Sequence, residues 1–88
     1  IEEIVNERER LSKVLPTLPS VLKVYPSKAN FILVKTQNAN SLYTYLIKNG
    51  IVVRNRDSEH ECKGCLRITV GTKDENDILI DVWKKYKL

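Results

Sequence analysis

The hydrophobic and polar positions of the chain fall into three helix-like and four strand-like stretches. Over residues 1–15, Ile1, Ile4, Val5, Leu11, Val14 and Leu15 recur near i, i+3, i+4 and i+7, and Glu2, Glu3, Glu7, Arg8 and Arg10 take the other positions. That is the period of an amphipathic helix. Pro16 and Pro19 end it, because proline has no N–H to give the helix. Two strands are predicted next, at 21–25 ("VLKVY") and 30–36 ("NFILVKT"), with "PSKA" as their turn. The unbroken run "FILV" predicts a central strand covered on both faces. Asn38 or Asn40 is placed to cap a helix over about 40–49, with Leu42, Tyr43, Leu46 and Ile47 as its buried stripe. Gly50 stands where a left-handed residue closes a helix.

Ile51 to Arg54 and Leu66 to Val70 read as the third and fourth strands, joined by the polar loop "NRDSEHECKG". In the last helix Thr72 and Glu75 have capping-box spacing, and Asp74, Glu75 and Asp77 put negative charge in the first turn. Ile78, Leu79, Val82, Trp83 and Tyr86 give it an apolar face, and Lys84, Lys85 and Lys87 suit its C-terminal dipole. The order α-β-β-α-β-β-α predicts a two-layer α+β fold, a small and mostly antiparallel sheet with helices on one face. No repeat or linker divides residues 1–88, so a single domain is expected.

Composition narrows the function classes. A hydrophobic fraction of 42% beside 30% charge belongs to a folded chain rather than a disordered one. No apolar run approaches the roughly 20 residues of a membrane helix, so no membrane partner is expected. The net charge of +4 allows an anionic partner, but the signs are mixed, and "KKYK" at 84–87 reads as a solvated helix end. An RNA-binding sheet displays stacking aromatics, and the strands here offer Phe31 and Tyr25 without that pattern; no nucleic-acid partner is expected. Two cysteines and a charged start, "IEEIVNERER", without a signal-peptide core, point to a reducing, cytoplasmic setting. With Ile1 rather than Met at the start, a processed product or a fragment cut from a longer protein is expected.

The segment "HECKGCLRITVG", residues 60–71, offers His60, Cys62 and Cys65 as metal or redox groups. A structural zinc site needs four ligands, and recruiting Glu59 or Glu61 would strain its tetrahedron. A redox CxxC opens a helix, whereas Cys65 leads into a strand. No metal is expected; Cys65 reads as a small residue at a strand start and Cys62 as an exposed loop thiol.

The same segment contains a stronger candidate. Side chains alternate across a strand, so Leu66, Ile68 and Val70 share one face, and Arg67 and Thr69 share the other. Val53 likewise opposes Arg54 in "IVVR". With the apolar sets facing the helices, Arg54 and Arg67 both project from the opposite face. Guanidinium forks suit bidentate binding of carboxylate or phosphate. Spacing alone is compatible with a dianion clamp or with two solvated arginines.

"SKANFILVK", "LIKNGIVVRNR" and "GCLRITVGTKDEND" together resemble the C-terminal small domain of histidinol-phosphate aminotransferase, a fold-type I pyridoxal-phosphate enzyme. The likeness runs from Ser27 to the end, "CLRITVGT" is its most specific part, and residues 1–20 resemble the helix that precedes the domain. The resemblance implies that Arg67 binds the substrate's anionic end and that Arg54 helps hold the phosphate of histidinol phosphate. It implies exchange of an amino group between histidinol phosphate and 2-oxoglutarate, giving imidazole acetol phosphate and glutamate in histidine biosynthesis, by a cytoplasmic homodimer. Pyridoxal 5'-phosphate would be held by a lysine of a large domain outside this chain. Lys13, Lys35 and the others then read as surface lysines, and these 88 residues alone are expected to be inactive. Aromatic aminotransferases and phosphothreonine decarboxylases share the fold and this arginine. A free-standing α+β ligand-binding module is the alternative of another class.

Overall fold

The computed structural model describes residues 2–57 and 62–87. Helix α1 (Glu2–Val14) ends in a 3₁₀ turn (Leu15–Thr17) with Pro16 in its first positions. Then come β1 (Val21–Val24), β2 (Phe31–Thr36), α2 (Ala39–Lys48), β3 (Val53–Asn55), β4 (Cys65–Thr69) and α3 (Lys73–Lys84). This is the α-β-β-α-β-β-α order and α+β class expected from the hydrophobic pattern. The four strands form one sheet in the order β1-β2-β4-β3, and every pairing is antiparallel. Strands β2 and β4 are therefore central, and β1 and β3 lie at the edges.

The core lies between the helices and one face of the sheet. Ile32 and Val34 of β2, Val53 of β3, and Leu66 and Ile68 of β4 pack with Leu11, Leu15, Leu42, Leu46, Leu79 and Trp83. Fully burying such a side chain stabilises the fold by about 1.5–3 kcal/mol. The indole N–H of Trp83 donates to Ser20 Oγ at 2.8 Å, and the Tyr45 hydroxyl donates to the Val82 carbonyl at 2.6 Å. Each aromatic thus buries its ring without orphaning its polar atom.

The expected double coverage of β2 is corrected: burial alternates along it, with Ile32 and Val34 buried but Phe31 and Leu33 only half-buried. "FILV" serves a central strand in a sheet with one covered face, so its odd residues meet the other side. Helix faces also differ from expectation. Ile4 and Val5 are exposed, whereas Glu7 is buried in the stripe with Leu11. On α3 the buried stripe is Asn76, Leu79, Ile80 and Trp83, and Ile78 is 57% exposed. Ile47 of α2 is exposed as well. Asn38 precedes α2 without a side-chain cap bond, while Gly50 (φ +84°) and the Thr72–Glu75 capping box are as expected.

One polar network explains both shifted faces. Asn76 Nδ2 donates to Glu7 Oε1 (3.1 Å) and to the Gly71 carbonyl (3.0 Å), and Gly71 N–H donates to Asn76 Oδ1 (3.1 Å). Arg10 reaches Glu7 at 2.6 Å and Asp77 at 2.8 Å. A buried carboxylate and amide are tolerated because each finds partners, and their burial rotates α1 and α3 away from a purely apolar contact. The Arg10 hydrogen bond, followed by that from Asn76, holds the Glu7 carboxyl below its ordinary value of 4.5 against the opposing effect of burial.

A depressed carboxylate pKa contributes stability that is present above the unfolded pKa and lost as pH falls through the folded one. Glu7→Gln should lower stability at about pH 7 by about 1.5–3 kcal/mol, the worth of a hydrogen bond to a charged group. The gap from the parent protein should close as pH drops below the ordinary value of 4.5. Urea midpoints measured across this range test it; a gap that stays constant into acid would contradict the role of the charge.

Candidate functional site

The sheet face opposite the core carries the candidate groups. Register places Arg54 directly across from Arg67 and Val53 across from Ile68. Leu33 lies on the other side of Arg67, and Phe31 lies opposite Thr69. Both predicted arginines therefore stand side by side on one face. Arg67 is half-buried in the middle of a central strand; Arg54 is exposed on the neighbouring edge strand.

Like charges directly opposite in an antiparallel pair destabilise a sheet. Among the described residues, the ion pairs join Arg10, Lys73 and Lys85 to carboxylates, and none involves Arg54 or Arg67. The guanidinium carbon of Arg67 lies 4.2 Å from the centroid of the Phe31 ring. Its Nε is buried with no hydrogen-bond partner among the described residues. A groove of about 410 Å³ beside Arg54 is lined by Tyr43, Val52, Val53, Arg54, Asn55 and Arg56. Lys35 and Lys23, paired across β1 and β2, add positive charge farther along. The arrangement can grip an anion with more than one oxygen.

Local bonds fix this register. Asn55 Nδ2 donates to Asn40 Oδ1 at 2.7 Å, and Asp57 N–H donates to Asn55 Oδ1 at 2.8 Å. Asp57 Oδ1 accepts from Gly64 N–H at 2.6 Å, and Arg56 N–H donates to the Cys65 carbonyl at 3.0 Å. Gly64 has φ +79°, a conformation that favours glycine, and its carbonyl accepts from Thr36 N–H at 2.7 Å. The ends of the long loop are thus bolted to α2 and β2. Sequence reasoning missed Asp57, Asn55 and Phe31; only the alternation that places Phe31 on the Arg67 face was available to signal one of them.

His60, Glu59 and Glu61 lie outside the described residues. Cys62 and Cys65 close a tight turn, with Cys65 N–H donating to the Cys62 carbonyl at 2.9 Å. Cys62 is half-buried and Cys65 buried. Burial, chiefly, and then the neighbouring Cys62 push the Cys65 thiol up. Among the described residues no group of three or more His, Cys, Asp or Glu side chains is gathered to hold a metal.

A lysine that binds a carbonyl cofactor covalently needs a walled, desolvated site to lower its pKa. Every lysine here is exposed, so these residues do not themselves fit pyridoxal phosphate. Among the described residues no helix is long and apolar enough to cross a membrane.

A family model described as aminotransferase class I and II matches residues 1–82. The histidinol-phosphate aminotransferase of Parabacteroides distasonis is 51% identical over 88 residues, which are 100% of this chain and 26% of that protein. That of Flavobacterium psychrophilum is 50% identical over 96% of this chain and 24% of its own length. The chain thus spans about a quarter of these relatives. Among solved structures, the histidinol-phosphate aminotransferase from Clostridium acetobutylicum is similar with TM-score 0.84 and 25% identity, over 92% of this chain and 25% of that one. A decarboxylase from Sulfurospirillum multivorans is similar with TM-score 0.81 and 30% identity, over 94% and 25%.

The thiol geometry makes a direct prediction, because the accessible thiolate is the nucleophile. Iodoacetamide should label Cys62 in the folded protein and leave Cys65 unlabelled until denaturant is added. Peptide mass spectrometry reads the order; equal rates at both sites in the folded state would contradict the buried, raised-pKa Cys65.

Proposed function

The chain belongs to the class I and II aminotransferase family, and on that premise we propose that it supplies the anion-binding arginines of a histidinol-phosphate aminotransferase. The intact enzyme exchanges an amino group between histidinol phosphate and 2-oxoglutarate, giving imidazole acetol phosphate and glutamate, in histidine biosynthesis. The observation that carries the proposal is the direct opposition of Arg54 and Arg67 on a chain about half identical to enzymes of that name. A phosphate dianion offers oxygens for two guanidinium forks, and its charge would replace the repulsion between them.

In this reading Arg67 holds the anionic end of each substrate in turn. Arg54, on the edge strand, adds a second contact that the larger phosphate uses best. The sheet face orients the anion, and the groove beside Arg54 leaves room for it. Pyridoxal 5'-phosphate, the carrier of the amino group, is bound by chain outside these 88 residues, consistent with the exposure of every lysine here. The 88 residues form the small domain of a cytoplasmic homodimer and have no transaminase activity alone.

The likeness to a decarboxylase supports a second reading, in which the same arginines hold a phosphorylated amino acid that loses carbon dioxide. Product analysis separates the two: amino transfer consumes 2-oxoglutarate, and decarboxylation proceeds without it.

In the intact enzyme, Arg67→Ala should lower kcat/KM for both histidinol phosphate and glutamate. Arg54→Ala should lower it mainly for histidinol phosphate. Loss of one charge-assisted contact costs about 1.5–3 kcal/mol, or about ten- to a hundredfold. Steady-state kinetics with each substrate test the split, and equal losses on both for Arg54→Ala would remove the phosphate role.

A further inference from the structure

The "SKANF" stretch plays no part in the anion contacts assigned above, yet it ends at the ring beneath Arg67. Resting on that assignment of Arg67 as the anchor, we propose that Phe31 is a positioning residue that sets how Arg67 presents its guanidinium to the substrate anion. Phe31 and Arg67 are diagonal neighbours across β2 and β4, since Arg67 pairs with Leu33 and Phe31 with Thr69. The guanidinium carbon sits 4.2 Å from the ring centroid, well inside the roughly 6 Å range of a cation–π contact. Arg67 Nε, the only buried and unpartnered side-chain nitrogen or oxygen among the described residues, is withdrawn from water in this pose.

That geometry limits what Arg67 can do. With Nε buried, an approaching oxygen pair meets the terminal nitrogens, so the fork is presented end-on. The aromatic face is a favourable partner for the guanidinium in this pose. It also offsets part of the cost of removing Nε from water. An aliphatic side chain of similar bulk would fill the space but would not attract the cation.

The ring itself is held. Ser27 Oγ donates to the Phe31 carbonyl at 2.7 Å and accepts from Ala29 N–H at 3.1 Å, which folds the β1–β2 connection onto the start of β2. Val70 N–H donates to the Asn30 carbonyl at 2.8 Å, joining the same connection to the end of β4. Ser27 through its hydroxyl, Asn30 through its backbone carbonyl and Phe31 through its ring therefore act together.

The test uses the intact enzyme and steady-state kinetics with both substrates. Phe31→Leu should raise KM for histidinol phosphate and glutamate about tenfold and leave kcat within about twofold, because the affected step is capture of the anion. Phe31→Tyr, which keeps the ring, should return KM to within about twofold of the parent. Stepwise fluorination of a phenylalanine inserted at position 31 weakens the ring's negative face with little change of shape, and KM should rise with each fluorine. This series also covers a Phe31→Leu protein that fails to fold. A flat fluorination series, or Phe31→Tyr no better than Phe31→Leu at equal melting temperature, would overturn the inference. Arg67→Ala in the same assay separates the levels. Loss of anion capture there with no effect at Phe31 removes only the positioning role. An Arg67→Ala enzyme with unchanged kinetics on both substrates removes the anchor reading and the inference with it.

Discussion

The register of β3 against β4 is the constraint on which the rest depends. It sets Val53 against Ile68 on the core side and Arg54 against Arg67 on the other. A slip of β3 by one residue would turn Arg54 into the core and Val53 outward, while β2 keeps Arg67 on the open face. Burying an unpaired guanidinium group is prohibitive, so core formation selects the alignment that sets Arg54 beside Arg67. The strands do not achieve this alone. Strand β3 has only three residues, too few to specify a register by themselves. The Asn40–Asn55–Asp57 bonds and the Asp57–Gly64 contact supply what the short ladder lacks.

A second constraint acts at the opposite end of β4. The buried network of Glu7, Asn76 and Gly71 fixes the junction between β4 and α3 to α1. Trp83 then fills the core beneath the sheet and bonds Ser20 near the start of β1. Strand β4 is thus held at both ends, by Gly64 before Cys65 and by Gly71 after Val70, so Arg67 projects from a firmly seated segment. Sites carried on rigid elements hold their geometry more closely than sites on loops.

The element order, the antiparallel sheet and the shared face of Arg54 and Arg67 were legible from alternation and periodicity alone. What sequence reasoning could not reach was the buried polar network. Glu7 lies one turn before Leu11 on the apolar face of α1, but its charge makes it read as a solvent residue, because its burial depends on Arg10, Asn76 and Gly71, which come together only when α1 meets α3. Periodicity puts Ile78 on the apolar face of α3 and leaves Ile80 off it, whereas the fold buries Ile80 and exposes Ile78, since a helix face is set by its contacts and the apolar residues of α3 span more than one face. "FILV" misled in the same way: four apolar residues in a row fit double coverage, but in this chain the Phe31 ring lies against the Arg67 guanidinium on the open face. At the site, alternation chose the arginines, while the register-setting role of Asp57 follows from a loop conformation that no short motif encodes.

The open face also shows why these positions are unfavourable to the fold considered by itself. Opposed like charges weaken a strand pair, and the Arg67 Nε–H, buried with no acceptor among the described residues, loses hydration without a bond in return. Neither feature strengthens the core, which is complete on the other side of the sheet. On the reading proposed above, an anion between the two strands would offset the charge repulsion through the terminal guanidinium nitrogens, while Arg67 Nε stays buried. On the same reading, anion occupancy would add to the stability of the β3–β4 pair. On that proposal the ring sets the pose of Arg67, Arg54 stands exposed on the edge strand, and the anion bonds to the guanidinium nitrogens that stay accessible.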